Sequence, residues 1–208
     1  IWGHPDWVSG WAQRTDAFDA VIDHLGLRPD EVILRNHPNW ATTIHGRTGD
    51  RPEAHYTDWA HARGITVIGA AEPTSTLALI DQCDAVVVNG GSAALEAGIL
   101  GKQVIAVGPS VYQRAGFQDT VYGPEDLGEL KLDASPTALA TRARQTLRFG
   151  YTMNHRLPQF VDHVRAVTPT SYRYAPGADP QRLHRLVLTG AVEPDDPRRA
   201  TGRDGEDR

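Results

Sequence analysis

The sequence predicts an α/β protein with a doubly wound, mainly parallel sheet and a helical C-terminal extension. Three observations carry that prediction. The short runs 65-ITVIG-69, 85-AVVV-88 and 103-QVIAVG-108 are nearly continuous in apolar residues, as strands buried on both faces must be. Segments with helical spacing separate them, each long enough to return the chain to a parallel neighbour. Glycine, serine and proline punctuate the junctions.

Residues 16–25, DAFDAVIDHL, put Phe18, Val21, Ile22 and Leu25 on one face at helical spacing, and Gly26 stops the helix. The run 31-EVILRN-36 is a first strand, closed at His37-Pro38 because proline donates no ladder hydrogen bond and holds the preceding residue extended. Residues 39–53 are rich in Thr, Gly and Arg and lack periodicity. A helix over 54–64 and a strand over 65–69 follow, then a turn at 72–75, a helix over 76–83, a strand over 85–88, a helix over 92–100 and a strand over 103–108. Strands thus alternate with crossover helices, the pattern of a Rossmann-like sheet covered on both faces. The loop 109-PSVYQRAGF-117 leads into an acidic segment, and helices are predicted over 136–157 and 158–167, proline standing at each start. Residues 191–208 hold Pro, Gly and charges of both signs with almost nothing apolar, too little to offset ordering entropy, so a disordered tail is predicted there. The predicted organisation is a Rossmann-like domain with C-terminal helices over 1–170, an extension over 171–190 and the tail.

The 208 residues carry 21 Lys+Arg against 26 Asp+Glu, a formal net charge of −5 that argues against nucleic acid as a partner, because phosphate-backbone binding needs concentrated positive charge. The single cysteine, Cys83, excludes an internal disulfide and any Cys-based zinc site, and suits a reducing cytoplasm. No apolar run approaches the roughly 20 residues of a membrane-spanning helix, and the N-terminus lacks a signal-peptide pattern. Ile1 rather than Met opens the sequence, and the expectation is a fragment or a trimmed chain.

In a doubly wound sheet, ligands bind beyond the carboxyl ends of the strands, which selects residues 35–38, 70–75, 89–92 and 109–116. Ser92 is placed as the N-cap of helix 92–100, with glycines 90 and 91 allowing close backbone approach, so that Gly91, Ser92 and Ala93 can present N–H groups to a phosphate. The same residues read equally well as a capping serine after a flexible turn. The pattern is neither GxGxxG nor GxxxxGK[ST], which removes the usual dinucleotide and P-loop readings. Glu96, one turn on, is either a first-turn carboxylate suited to the helix dipole or an acceptor for two ribose hydroxyls. His37 is the candidate catalytic residue, able to bring a proton or a charge to a phosphate oxygen, although most lone histidines do neither. Tyr112 and Gly116 lie in a loop that could fold over the rim, or that the tyrosine simply anchors. The histidines lack metal-ligand spacing, so no metal and no cofactor are expected.

As a set, His37-Pro38 after a strand, the helix entered near Leu77 after Ser75, the stretch 84-DAVVVNGGSAALEAGILGKQVIAVG-108, and Tyr112 with Gly116 resemble the capsule polysaccharide biosynthesis glycosyltransferases over roughly residues 30–120. The resemblance implies the donor-binding half of a GT-B fold, in which two Rossmann-like domains face each other across the active site. It is similar also to Kdo transferases and bacterial sialyltransferases, whose HP motif and later serine hold the phosphate of a CMP-sugar. His37-Pro38 and Ser92 match those positions. The implied partners are a nucleotide sugar, with CMP preferred, and a saccharide acceptor held by a domain that this chain lacks. The implied setting is the cytoplasm, with peripheral association at the inner membrane left open. Two further readings keep the fold: a sugar-nucleotide 2-epimerase, and a non-catalytic α/β module that binds a nucleotide or a protein.

Overall fold

The computed structural model of the chain describes residues 9–42, 48–156, 164–168, 171–181 and 184–185. The chain divides into two compact units, Ile1–Leu147 and Arg148–Arg208.

The apolar runs of the first unit fold as parallel ladders. β1 (Ile33–Arg35) pairs with β2 (Thr66–Ile68), and β3 (Ala85–Val88), β4 (Gln103–Ala106) and β5 (Gln118–Thr120) form a second sheet in that order. The architecture is α/β with parallel sheets and helices. Sequence reasoning expected one four-stranded sheet, whereas hydrogen bonding gives two sheets and a fifth strand. β1 and β2 are only 3 residues each and their ladder is correspondingly short.

Side-chain packing joins what the ladders leave apart. α1 (Arg14–His24) turns Ala17 and Val21 toward Ile105, Val107, Val121 and Leu130, and turns Ile22 toward Ala60 and Ile65. One helix therefore serves both cores. α2 (Asp50–Ala62) shares the second core, and Phe18 of α1 meets Tyr56 and Trp59 of α2 with ring centroids 6.1 and 5.5 Å apart. Strand residues alternate in facing: Val87, Ile105 and Val107 look toward α1, so Val88, Val104 and Ala106, all buried, look the other way. On that side lies α4 (Ala93–Ile99), which packs on β3 and β4 and carries α3 (Thr76–Gln82) beside it. Helices thus cover both faces of the second sheet. Ser75 caps α3, its hydroxyl accepting from the Ala78 N–H at 3.3 Å.

α2 starts at Asp50, ahead of the helix expected from 54, with Pro52 in the first turn, where a missing N–H costs nothing. α5 (Pro136–Tyr151) follows the prediction closely and passes from the first unit into the second. In the second unit a π-turn at Thr152–Arg156 continues the helix, and β6 (Val164–Thr168) pairs antiparallel with β7 (Ser171–Tyr174). The helix expected over 158–167 is thereby corrected at its end: VRAVT is rich in β-branched residues, and its ladder to SYRY wins. Residues 158–163 and the predicted disordered tail over 191–208 lie outside the described residues. Among the described residues, no helix is long and apolar enough to cross a membrane.

Candidate functional site

The sequence candidates other than Gly116 follow the carboxyl ends of β1, β3 and β4 in the first unit. Asn36, just past β1, is 1% exposed. Its backbone N–H extends the ladder to the Ile68 carbonyl at 3.0 Å, and its Nδ2 donates to Thr57 Oγ1 at 2.9 Å and to Glu53 Oε1 at 3.4 Å. Glu53 Oε1 accepts in turn from the Ala70 N–H at 2.7 Å, so a carboxylate on α2 ties the turns after β1 and β2 together. Arg35 closes the second turn by donating to the carbonyls of Gly69, Glu72 and Thr74.

His37 follows, exposed, at the start of a 3-10 turn over Pro38–Ala41. Its Nδ1 accepts from the Asn39 N–H at 3.1 Å. The neutral ring that makes this bond carries its proton on Nε2, which is then the nitrogen available as a donor. Trp40 lies beside it, ring centroids 6.2 Å apart, and stacks on Tyr56 at 5.6 Å with the planes 10° from parallel. Burial pushes the Tyr56 phenol above its ordinary value, and the nearby Arg14 cation works against that shift.

The turn after β3 bears two left-handed glycines, Gly90 at φ +82° and Gly91 at φ +100°. A side chain at Gly91 would meet nothing within 4 Å, so the backbone there borders open space. Gly90 packs against the turn after β4, where a Cβ would stand 3.5 Å from the Pro109 carbonyl and 3.6 Å from Ser110 Cβ. Asn89 Oδ1 occupies the space that a side chain at Gly108 would need, and the Arg14 guanidinium carbon lies 3.3 Å from that same point.

Ser92 departs from its expected role. It stands at the N-cap position of α4, but its φ of −67° and ψ of −22° are helical and its side chain makes no capping bond. Capping needs an extended residue, as at Ser75 with ψ 121°, to aim the hydroxyl back at the first turn. Here Gly91 takes up the change of direction, and its carbonyl already accepts from the Ala94 N–H at 3.3 Å. Ser92 is exposed and directly follows the open glycine. Glu96 is half-buried one turn along the same helix, and Ala93 is its first residue.

Tyr112 and Gly116 do not close over this edge together. The Tyr112 ring packs 6.1 Å from Phe117, which is 2% exposed, and so anchors its loop. Gly116, at φ +76°, lies two residues before β5 and hence at the amino edge of the parallel sheet, opposite the carboxyl ends. It borders an open groove of about 310 Å³ lined by Phe117, Asp119, Asp133 and Arg142 among others.

Arg14, Trp40, Glu53 and Tyr56 were not among the sequence candidates, and Asn36 was selected only for its place after the first strand. Trp40 and Tyr56 meet only through tertiary folding. Arg14 lies ahead of the helix predicted from residue 16, and its place in the first turn of α1 shows only in the structure.

The chain matches no protein-family profile, and no solved structure matches it. It is similar to Protein FixF of Sinorhizobium fredii (strain NBRC 101917 / NGR234), 27% identical over 128 residues, which are 61% of this chain and 27% of that protein. The chain spans about a quarter of that relative's length.

Proposed function

We propose that the first unit is the donor-binding half of a glycosyltransferase of GT-B type, and that it holds a nucleotide-activated sugar, with CMP the preferred carrier, for synthesis of a bacterial surface polysaccharide. On this reading the two parallel sheets are parts of one doubly wound arrangement, and the ligand lies at the carboxyl ends of β1 and β3. The acceptor saccharide is held by a domain outside this chain, and the work is done in the cytoplasm.

One observation carries the reading: the Ser92 hydroxyl, freed from capping, stands exposed beside a glycine turn that borders open space. A left-handed glycine followed by a helical residue turns successive N–H groups toward one point, a geometry suited to phosphate oxygens. Cleavage of a glycosyl–phosphate bond leaves charge on the departing phosphate. Preorganised N–H groups, a hydroxyl and the Nε2–H of His37 would stabilise that charge without rearranging. Glu96, one turn along α4, is offered to the two ribose hydroxyls.

Calorimetric titration with CMP, UDP and GDP tests the proposal. Binding of one of them is expected, and Ser92→Ala should weaken it by about 1.5–3 kcal/mol, the worth of a hydrogen bond to a charged group. Because Ser92 caps nothing, its thermal midpoint should stay where it is. Glu96→Gln should weaken binding of the ribonucleotide more than of its deoxyribose counterpart. No binding of any of the three at millimolar concentration by the folded protein would end the proposal.

A further inference from the structure

We infer that Arg14 is a phosphate-binding residue, reaching the ligand from the start of α1 beside the turns after β3 and β4; this rests on the reading of that edge as a nucleotide site. Its position is electrostatically adverse. Arg14 is the first residue of an 11-residue helix, where the unpaired N–H groups already present positive charge. Other arginines of the chain have found anions or carbonyls. Arg63 pairs with Asp19 and Asp23, Arg28 pairs with Asp30 and Glu31, and Arg35 is spent on four carbonyl groups. Among the described residues no carboxylate pairs with Arg14, and the bond it makes there is to a neutral hydroxyl, Nη1 donating to Ser9 Oγ at 2.5 Å.

The side chain also lies beside the turns after β3 and β4. Its guanidinium carbon lies 3.3 Å from the point that a Cβ on Gly108 would occupy, a point also crowded by Asn89 Oδ1. Asn89 directly precedes Gly90 and Gly91, and Gly90 packs on Pro109 and Ser110 of the same neighbouring turn. The half-buried guanidinium therefore lies beside Gly108 and Asn89, the residue that leads into Gly90, Gly91 and Ser92. A guanidinium carries five N–H donors in a rigid fork, and Ser9 takes one of them. Phosphate oxygens are the partners that match the rest of that fork and offset the adverse helix position.

The test pairs affinity with stability in the full 208-residue chain. Calorimetry would measure CMP against cytidine, UDP against uridine and GDP against guanosine, for wild type, Arg14→Gln and Arg14→Lys. For the nucleotide that binds wild type, Arg14→Gln should lose about tenfold or more in affinity, as loss of a charge-assisted hydrogen bond implies, while the nucleoside binds unchanged. Arg14→Lys keeps the charge without the fork and should fall between. The thermal midpoint of Arg14→Gln should equal or exceed that of wild type, because a cation has left the positive end of a helix. Equal nucleotide affinity, an equal loss for the nucleoside, or a clear fall in the midpoint would each overturn the assignment of Arg14. Failure of wild type to bind any nucleotide would instead remove the nucleotide site on which it rests.

Discussion

Asn36 is buried to 1% exposure with only part of its amide in use: Nδ2 serves Thr57 and Glu53, while Oδ1 has no partner. Asn36→Ala would leave the half-buried Thr57 and Glu53 short of a donor and should cost about 1–2 kcal/mol, the worth of the lost hydrogen bonds. Urea unfolding would measure it, and a loss under about 0.5 kcal/mol would mean that the Asn36–Glu53–Thr57 network does not fix this edge. The same scale shows why the sites were only partly legible in the sequence. Ser75 and Ser92 both precede a short helix, yet Ser75 caps and Ser92 does not, because their ψ angles are 121° and −22°. That difference follows from Gly91, whose φ of +100° turns the chain one residue early, and no residue type announces which glycine will do so. His37 was legible from its place before a proline. The hydrogen bond that fixes its tautomer was not.

Among the elements, α4 and α5 meet at one glycine. A Cβ on Gly98 would stand 2.9 Å from Thr146 Cγ2 and 3.1 Å from Phe117 Cδ2, and closer still to Thr146 Oγ1, with Thr146 and Phe117 themselves buried. Gly98→Ala should therefore destabilise the protein by about 1–3 kcal/mol through overpacking, although alanine is the better helix former. Thermal unfolding decides the sign; a gain in stability would show that the two helices can part without cost. Strands β3 and β4 were plain in the sequence, since apart from Gln103 their runs are apolar, as strands covered on both faces are. β5 was invisible because its QDT carries no apolar pattern, and it is a strand only because β4 offers it a free edge. β6 was misread as helix because a five-residue apolar run with one arginine fits either period until a partner strand supplies the ladder.

Across the molecule, parallel strands and crossover helices were legible from apolar runs and spacing, but not the division of the strands into two ladders, which α1 spans by packing rather than by hydrogen bonds. On the proposed function that division matters, because His37 follows β1 and Ser92 follows β3, strands of different sheets. On the proposed function a nucleotide sits at the carboxyl ends of β1 and β3, and not in the groove at the amino ends. Backbone amide hydrogen exchange, followed with and without the nucleotide that calorimetry selects, tests it most directly. Exchange should slow over residues 36–41, 89–93 and 108–110, and stay unchanged over residues 116–119 and 135–145. Slowed exchange along the groove, with the carboxyl edge unaffected, would contradict it.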